Sequence, residues 1–265
     1  AAAPHSCMSA APAASPPHHA CSLAILGAGG HGRSVADAAE AAGWTHVDLF
    51  DDGLWPGTRS SGPWPIVGNR EALVAMLSQY AGVAVAIGDC AARLRAVREL
   101  QAAGAPLPAL VHPSAWVSPH ASLGPGCVVL AGAAVNVGAA LGEACIINTG
   151  ATVDHDCDLG AGVHISPGAH LAGGVTVGEC AWVGIGAAVK QGMRVGRGAV
   201  VGAGAVVVRG VDEGVCVVGC PARPIGVAAA AAAFAAAAAH RRRKPKGLTR
   251  LTACWRTSAV DDHRD

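Results

Sequence analysis

The chain has 265 residues, enough for two domains of ordinary size, with 36 glycines and only 3% aromatics. Its formal net charge of +1 hides a mildly acidic body, 11 Lys/Arg against 15 Asp/Glu in residues 1–239, which gives no support for nucleic-acid binding as the core activity. The mean hydropathy of +0.39 comes from scattered Ala and Val; the longest apolar block, residues 227–239, is 13 residues and too short to cross a bilayer.

The first 20 residues, rich in Ala, Pro and His, lack the apolar content of a packed segment and carry no secretion-signal pattern. Residues 23–26 read as a short buried strand, followed by Gly27-Ala-Gly-Gly-His-Gly32 and a helix to about residue 42. Residues 47–50 read as a second strand ending at Asp51 and Asp52. Residues 83–87 read as a third, ending at Gly88 and Asp89, with a helix over 90–103. That alternation is a short doubly wound α/β unit. The stretch from Asp52 to Gly68 reads as a loop.

Gly27, Gly29 and Gly32 match G-x-G-x-x-G between a strand and a helix, and Asp51 falls 19 residues beyond Gly32, where a ribose-binding acid would lie. Glycines there let backbone amides and a helix N-terminus approach a diphosphate. The pattern points to a nucleotide or diphosphate without saying which one. His31, inside the loop, can hydrogen-bond a ligand. A tight strand-to-helix turn is the alternative use of the same glycines.

From Val111 to Val207 every sixth residue is Val, Leu or Ile, seventeen in succession, and four residues after each sits another apolar, mostly small, residue such as Ala133, Cys145 or Ala169. A period of six fits neither a helical stripe nor a plain strand alternation. It fits a parallel β-helix of hexapeptides, three to a triangular coil, with aliphatics filling a bore too narrow for rings. Gly124, Gly142, Gly160, Gly178, Gly184, Gly196 and Gly202 are expected to supply backbone freedom at the corners. Ten cysteines occur without a CxxC pair, and Cys127, Cys145 and Cys157 fall on inward positions. They read as reduced core residues, which favours a cytoplasmic protein.

One hexad differs from the rest: Val153-Asp154-His155-Asp156-Cys157-Asp158. A His beside a carboxylate is a general base whose tautomer and basicity the acid can set; an inert surface His is the plain alternative. His164 lies nine residues further, half a coil, so one chain places it on another side of the prism and the two could share a site only across a subunit interface. A zinc reading of His155, His164 and His170 is open, although the spacing does not stack them. Cys157 points inward, which leaves no Ser or Cys nucleophile paired with His155. After residue 240 the chain holds eight Lys/Arg against three acids. That run reads as a solvated tail, or as a contact for an anionic partner.

Taken together, Gly27-Ala-Gly-Gly-His-Gly32, Leu49-Phe-Asp-Asp52, Ala86-Ile-Gly-Asp89, Ile146-Ile-Asn-Thr149, Val153-Asp-His-Asp-Cys157 and Val218-Gly-Cys-Pro-Ala-Arg-Pro-Ile225 resemble one family. It is the bacterial sugar acetyltransferases that join a small Rossmann-like domain to a left-handed β-helix, including N-acetyltransferases of nucleotide-linked amino sugars and sialic-acid-type O-acetyltransferases. The resemblance covers residues 23–225. It implies an α/β plus all-β chain, with a Rossmann-like sugar-nucleotide domain over 22–110 and a left-handed β-helix over 111–225; composition adds a segment over 1–21 and an Ala-rich, basic tail over 226–265, both expected to be disordered, the tail without a counterpart in the family.

The resemblance also implies roles. His155 matches the catalytic base, Asp156 the acid that raises its basicity, and Gly29, Gly30, His31, Asp51, Asp52 and Gly88 the positions that hold a nucleotide-sugar. His164, Ile185 and Ala203 match positions along the acetyl-CoA groove, and no metal site is implied. Such enzymes are homotrimers with interfacial sites. Two other readings stay open from the residues: an NAD-binding oxidoreductase using the glycine loop, and a non-catalytic sugar-nucleotide scaffold that the prism merely trimerises.

Overall fold

The computed structural model describes residues 21–226; of the segments expected to be disordered, 1–21 and 226–265, all but Cys21 and Gly226 lie outside the described residues. Five strands and two helices of the N-terminal part are β1 (Ser22–Leu26), β2 (His46–Phe50), β3 (Ser60–Ser61), β4 (Trp64–Gly68), β5 (Gly82–Val85), α1 (Gly30–Ala41) and α3 (Cys90–Ala102), with a short α2 (Arg70–Ala75) between β4 and β5. The sheet order is β3-β4-β2-β1-β5. β1, β2, β4 and β5 run parallel, and β3 joins the edge in antiparallel pairing with β4. β1 is buried at every residue, as expected of a strand covered on both faces. The stretch from Asp52 to Gly68 is therefore not simply a loop. It contains β3 and β4, whose Trp64 and Ile66 alternate into the core while Pro65 points out. Two-residue β3 and a strand holding Pro gave too little period to read.

The glycine loop lies at the carboxyl end of β1, where the chain turns toward β2 on one side and leaves β5 on the other. This is the switch point at which open α/β sheets take ligands. Gly27 has φ +113, and a Cβ there would sit 2.6 Å from the Ala86 carbonyl oxygen. A Cβ on Gly32 would collide with the Gly27 carbonyl oxygen. Those two glycines are required by the fold. Gly29 and Gly30 have open space where a Cβ would be, so packing does not explain their lack of a side chain.

Beyond α3 the chain winds as a left-handed parallel β-helix, from Leu110–Val111 to Val206–Val207, in two-residue strands that pair with partners eighteen residues away. One face presents Leu110, Val128, Ile146, His164, Trp182 and Val200 outward; the second presents Trp116, Ala134, Thr152, His170, Ala188 and Val206; the third Ser122, Ala140, Asp158, Thr176 and Arg194. The predicted aliphatics and small residues fill the bore, with Val135, Ile147, Val153, Ile165, Ala151, Ala169 and Cys145 all fully buried. Burying each such Val, Leu or Ile side chain stabilises the prism by about 1.5–3 kcal/mol.

The glycines expected to give corner flexibility have another purpose. Positive φ belongs to a different set, among them Gly132, Gly150 and Gly168. Gly124, Gly142, Gly160, Gly178 and Gly196 stack one coil above another, and a Cβ on any of them would lie 2.5–2.7 Å from a backbone nitrogen of the next coil. They are glycine because the coils approach too closely there for a side chain.

The α/β part packs on the first face and on the corner beside it. Leu110, Val128 and Leu130 share one core with Leu23, Ile25 and Val35, and Ala144 shares another with Leu94 and Val97 of α3. Arg93 locks this contact. Fully buried, it donates from Nε to the Ala144 carbonyl (2.9 Å), from Nη1 to those of Ile87 (2.9 Å) and Gly88 (3.2 Å), and from Nη2 to that of Gly162 (2.7 Å).

Candidate active site

His155 occupies the corner between the second and third faces, in the turn that joins Val153 to Asp158. Asp156 has φ +57, at the place in its coil where the neighbouring coils carry Gly138 and Gly174. A non-glycine residue in that conformation is strained, and Asp is among the few types that tolerate it. The reversal turns the carboxylate back onto the preceding side chain, so that His155 Nδ1 meets Asp156 Oδ2 at 2.8 Å. Glycines clear the surroundings: a Cβ on Gly138 would strike the Asp156 carboxylate, and one on Gly173 would strike the His155 ring.

Asp154 Oδ1 accepts from Asn136 Nδ2 (2.9 Å) and from the His155 backbone N–H (2.8 Å), which fixes the turn. The hydrogen bond to Asp156, followed by the charge of Asp154, raises the His155 pKa above its ordinary value. With its Nδ1 proton given to Asp156, the ring leaves Nε2 free to accept a proton in the open. Cys157 is buried and donates its Sγ–H to the Ala172 carbonyl, and burial raises its pKa; it is a core thiol.

The other site residues gather elsewhere. His164 lies outward on the first face under the α/β part, and its ring stands 6.4 Å from that of His31 in the glycine loop and 5.8 Å from that of Trp182, parallel within 5°. Sequence spacing could not bring a residue of the first helix onto a β-helix strand, nor pick out Trp182. Asn148 Oδ1 accepts from the Thr149 N–H (2.9 Å), which orients the amide so that Nδ2 donates to His164 Nε2 (3.1 Å). The His164 proton is thereby placed on Nδ1, which is buried without a hydrogen-bond partner, as is His31 Nε2. Burial, and then the charge of Arg93, holds His31 down to about 4 and His164 to about 3. Both rings are neutral at pH 7, with polar atoms a ligand can use. The positions expected to hold the nucleotide-sugar and the acetyl donor are thus not apart: His31 and His164 form one wall.

Around the glycine loop, α1 has no side-chain cap and no acid in its first turn, so its leading N–H groups stay available to an anion. Asp51 shapes the loop that its spacing placed at the ligand. Its carboxylate accepts from the Ala28 (2.9 Å), Gly53 (2.9 Å) and Leu54 (3.0 Å) N–H groups, Oδ2 taking only the first of these. Asp52 Oδ1 accepts from the Arg70 N–H at 2.8 Å, and Oδ2 forms a long ion pair with Arg70 Nε at 3.6 Å. Gly88 holds its carbonyl against Arg93. Ile185 and Ala203 are exposed, one coil apart on the corner between the first and second faces. His155, His164 and His170 occupy a corner and two different faces, so one chain cannot bring the three onto a common metal ion. No cluster of three metal-ligating side chains occurs among the described residues.

A family profile described as the PglD N-terminal domain matches residues 22–100. The chain superimposes on the acetyltransferase domain of PglB from Neisseria gonorrhoeae FA1090, solved with acetyl coenzyme A, at 42% identity and a TM-score of 0.74, covering 77% of this chain and 99% of that one. It matches PerB from Caulobacter crescentus, solved with CoA and GDP-perosamine, at 41% identity and a TM-score of 0.73 over 77% and 97% of the two chains. WeeI from Acinetobacter baumannii AYE follows at 26% identity and a TM-score of 0.68, over 77% and 99%. No curated protein matches the sequence. With a Rossmann-like unit seated on a hexapeptide β-helix and two solved relatives above 40% identity along nearly their whole length, the chain belongs to the bacterial sugar acetyltransferases.

Proposed function

We propose that this acetyl-CoA-dependent sugar acetyltransferase acylates an amine of a nucleotide-linked sugar, with His155 as general base and Asp156 as its orienting acid. The observation that carries the reading is the 2.8 Å His155–Asp156 pair, held by a strained backbone on an otherwise glycine-cleared corner. His155 Nε2 accepts the proton released as the sugar amine adds to the thioester carbonyl carbon. The C–S bond then breaks, an amide forms, and a proton passes to the departing sulfur to give the CoA thiol. Cys157 cannot intervene from the core, so the transfer is direct, and holding both substrates together supplies most of the acceleration.

The wall of His31 and His164 and the corner of His155 lie on different sides of one prism, so a sugar-nucleotide in the glycine loop reaches the base of a second copy. A homotrimer with three interfacial sites meets that requirement. Ile185 and Ala203, beside the His164 face, are the positions for the acetyl-CoA arm, and Gly29, Gly30 and Asp52 those for the sugar-nucleotide. No helix among the described residues is long and apolar enough to cross a membrane, and the reduced core thiols support a cytoplasmic setting. The test is incubation with acetyl-CoA and a panel of UDP-, GDP- and CMP-sugars bearing an amine or only hydroxyls, following thiol release. Thiol release with an amino sugar is expected; release only with hydroxyl acceptors would move the reading to O-acetylation.

A further inference from the structure

The cleft of about 180 Å³ at the carboxyl ends of β1, β2 and β5 is lined by Gly27, Asp51, Asp52, Gly53, Arg70 and Ile87. Few polar groups there remain for a ligand. Asp51 already accepts from three backbone N–H groups, Gly27 and Gly53 have no side chain, and Ile87 is apolar. The side chains left with the most unused hydrogen-bonding capacity are Asp52 and Arg70.

Arg70 is held from outside the cleft: its Nη1 donates to Glu99 Oε2 of α3 at 2.7 Å. Its Nε is buried with no hydrogen-bond acceptor and stands 3.6 Å from Asp52 Oδ2, too far for a hydrogen bond. A planar cation anchored at one end, whose buried Nε makes only a long ion pair with Asp52 Oδ2 and no hydrogen bond, offers a donor and an acceptor side by side. A buried donor without a partner is costly, and a ligand oxygen would relieve it.

We propose that Arg70 and Asp52 bind the nucleoside end of the sugar-nucleotide, Arg70 Nε donating to a base or ribose oxygen and Asp52 Oδ2 accepting a base N–H or a ribose hydroxyl. The inference rests on the sugar-nucleotide reading of this cleft and adds a residue to it. The pair stands at the end of β2, where this architecture recognises the ribose, whereas the uncapped start of α1 is the place for the diphosphate. Arg70 therefore acts in recognition of the nucleoside and not of the acetyl donor.

The test measures Kd for UDP, GDP, inorganic pyrophosphate and acetyl-CoA with the full-length protein. In Arg70→Gln, the Kd of the nucleoside diphosphate that wild type binds should rise about tenfold, the loss of one hydrogen bond from a charged donor, with pyrophosphate and acetyl-CoA unaffected. Arg70→Lys should not restore it, because a point charge lacks the planar fork. Glu99→Gln, outside the cleft, should show a smaller loss in the same direction and carries the test should Arg70→Gln not fold. Wild-type affinity for UDP or GDP in Arg70→Gln overturns the inference, and so does an equal loss of pyrophosphate binding. If wild type binds neither UDP nor GDP while it still binds acetyl-CoA, the sugar-nucleotide reading itself is wrong and the inference goes with it.

Discussion

Asp156 has two consequences that can be separated by experiment. Its carboxylate raises the basicity of His155, and its backbone sits where glycine would be relaxed. Asp156→Gly should stabilise the chain by about 1 kcal/mol, raising the melting temperature by a few degrees in a thermal scan, while turnover falls. Asp156→Asn should lower turnover without that gain. His155→Ala should cost about 10²-fold or more in kcat, the worth of a general base, with both substrate affinities kept. Because a base acts only when unprotonated and the His155 pKa is raised, the acidic limb of the wild-type rate profile should lie above pH 6.5. A His155→Ala variant with near-normal turnover and the same limb would place the base elsewhere. His155, Asp156 and His164 were legible because each departs from a repeat of small apolar residues. The strain at Asp156 was not, since φ is set by the corner and not by residue type. Arg93, Arg70 and Trp182 were silent because their meaning depends on which two distant segments meet.

At the scale of elements, the glycine loop divides into two pairs. Gly32→Ala should destabilise by roughly 1–3 kcal/mol, since its Cβ meets the Gly27 carbonyl. Gly30→Val should leave the melting temperature unchanged and weaken sugar-nucleotide binding, because that side chain projects into the space left for the ligand. Calorimetric titration beside a thermal scan reads both; normal nucleotide affinity in Gly30→Val would remove the loop from the site. The strand–glycine–helix order and the hexad period were fully readable, as each repeats a local physical rule over many residues. β3 and β4 were not, being too short and too rich in Pro and Gly to show a period. The corner glycines were seen but misassigned, because sequence cannot tell a residue that needs positive φ from one that must admit the next coil.

For the whole molecule, the separation of His155 from the His31–His164 wall is the decisive feature. If the site is completed by a second copy, a chain lacking His155 and a chain lacking His164 should complement each other. Mixed and reassembled, two inactive variants should recover activity, up to about a quarter of the wild-type sites for random trimers. Absence of recovery, in assemblies shown by mass to be mixed, would place the whole reaction within one chain. The half-coil spacing made this legible from sequence. What spacing could not supply is the seat of the α/β unit on the first face, which depends on Arg93 bridging the carbonyls of Ile87 and Gly88 to those of Ala144 and Gly162.

The eighteen-residue pairing also makes the prism a ruler with fixed graduations. Each coil advances the axis by one strand spacing, about 4.8 Å, so any change of length that keeps the faces aligned comes in whole coils. Removing residues 190–207 should slide the end of the chain one graduation nearer and delete Ala203, while His155, Asp156 and His164 keep their facing. Such a shortened chain should fold and retain sugar-nucleotide affinity but bind acetyl-CoA more weakly, its groove now too short for a donor of unchanged length. Removing residues 190–195 instead would turn everything downstream by a third of a revolution and should abolish folding of that end. Hydrogen exchange on the two deletions distinguishes them, and equal protection in both would mean that the coils are not the unit of length.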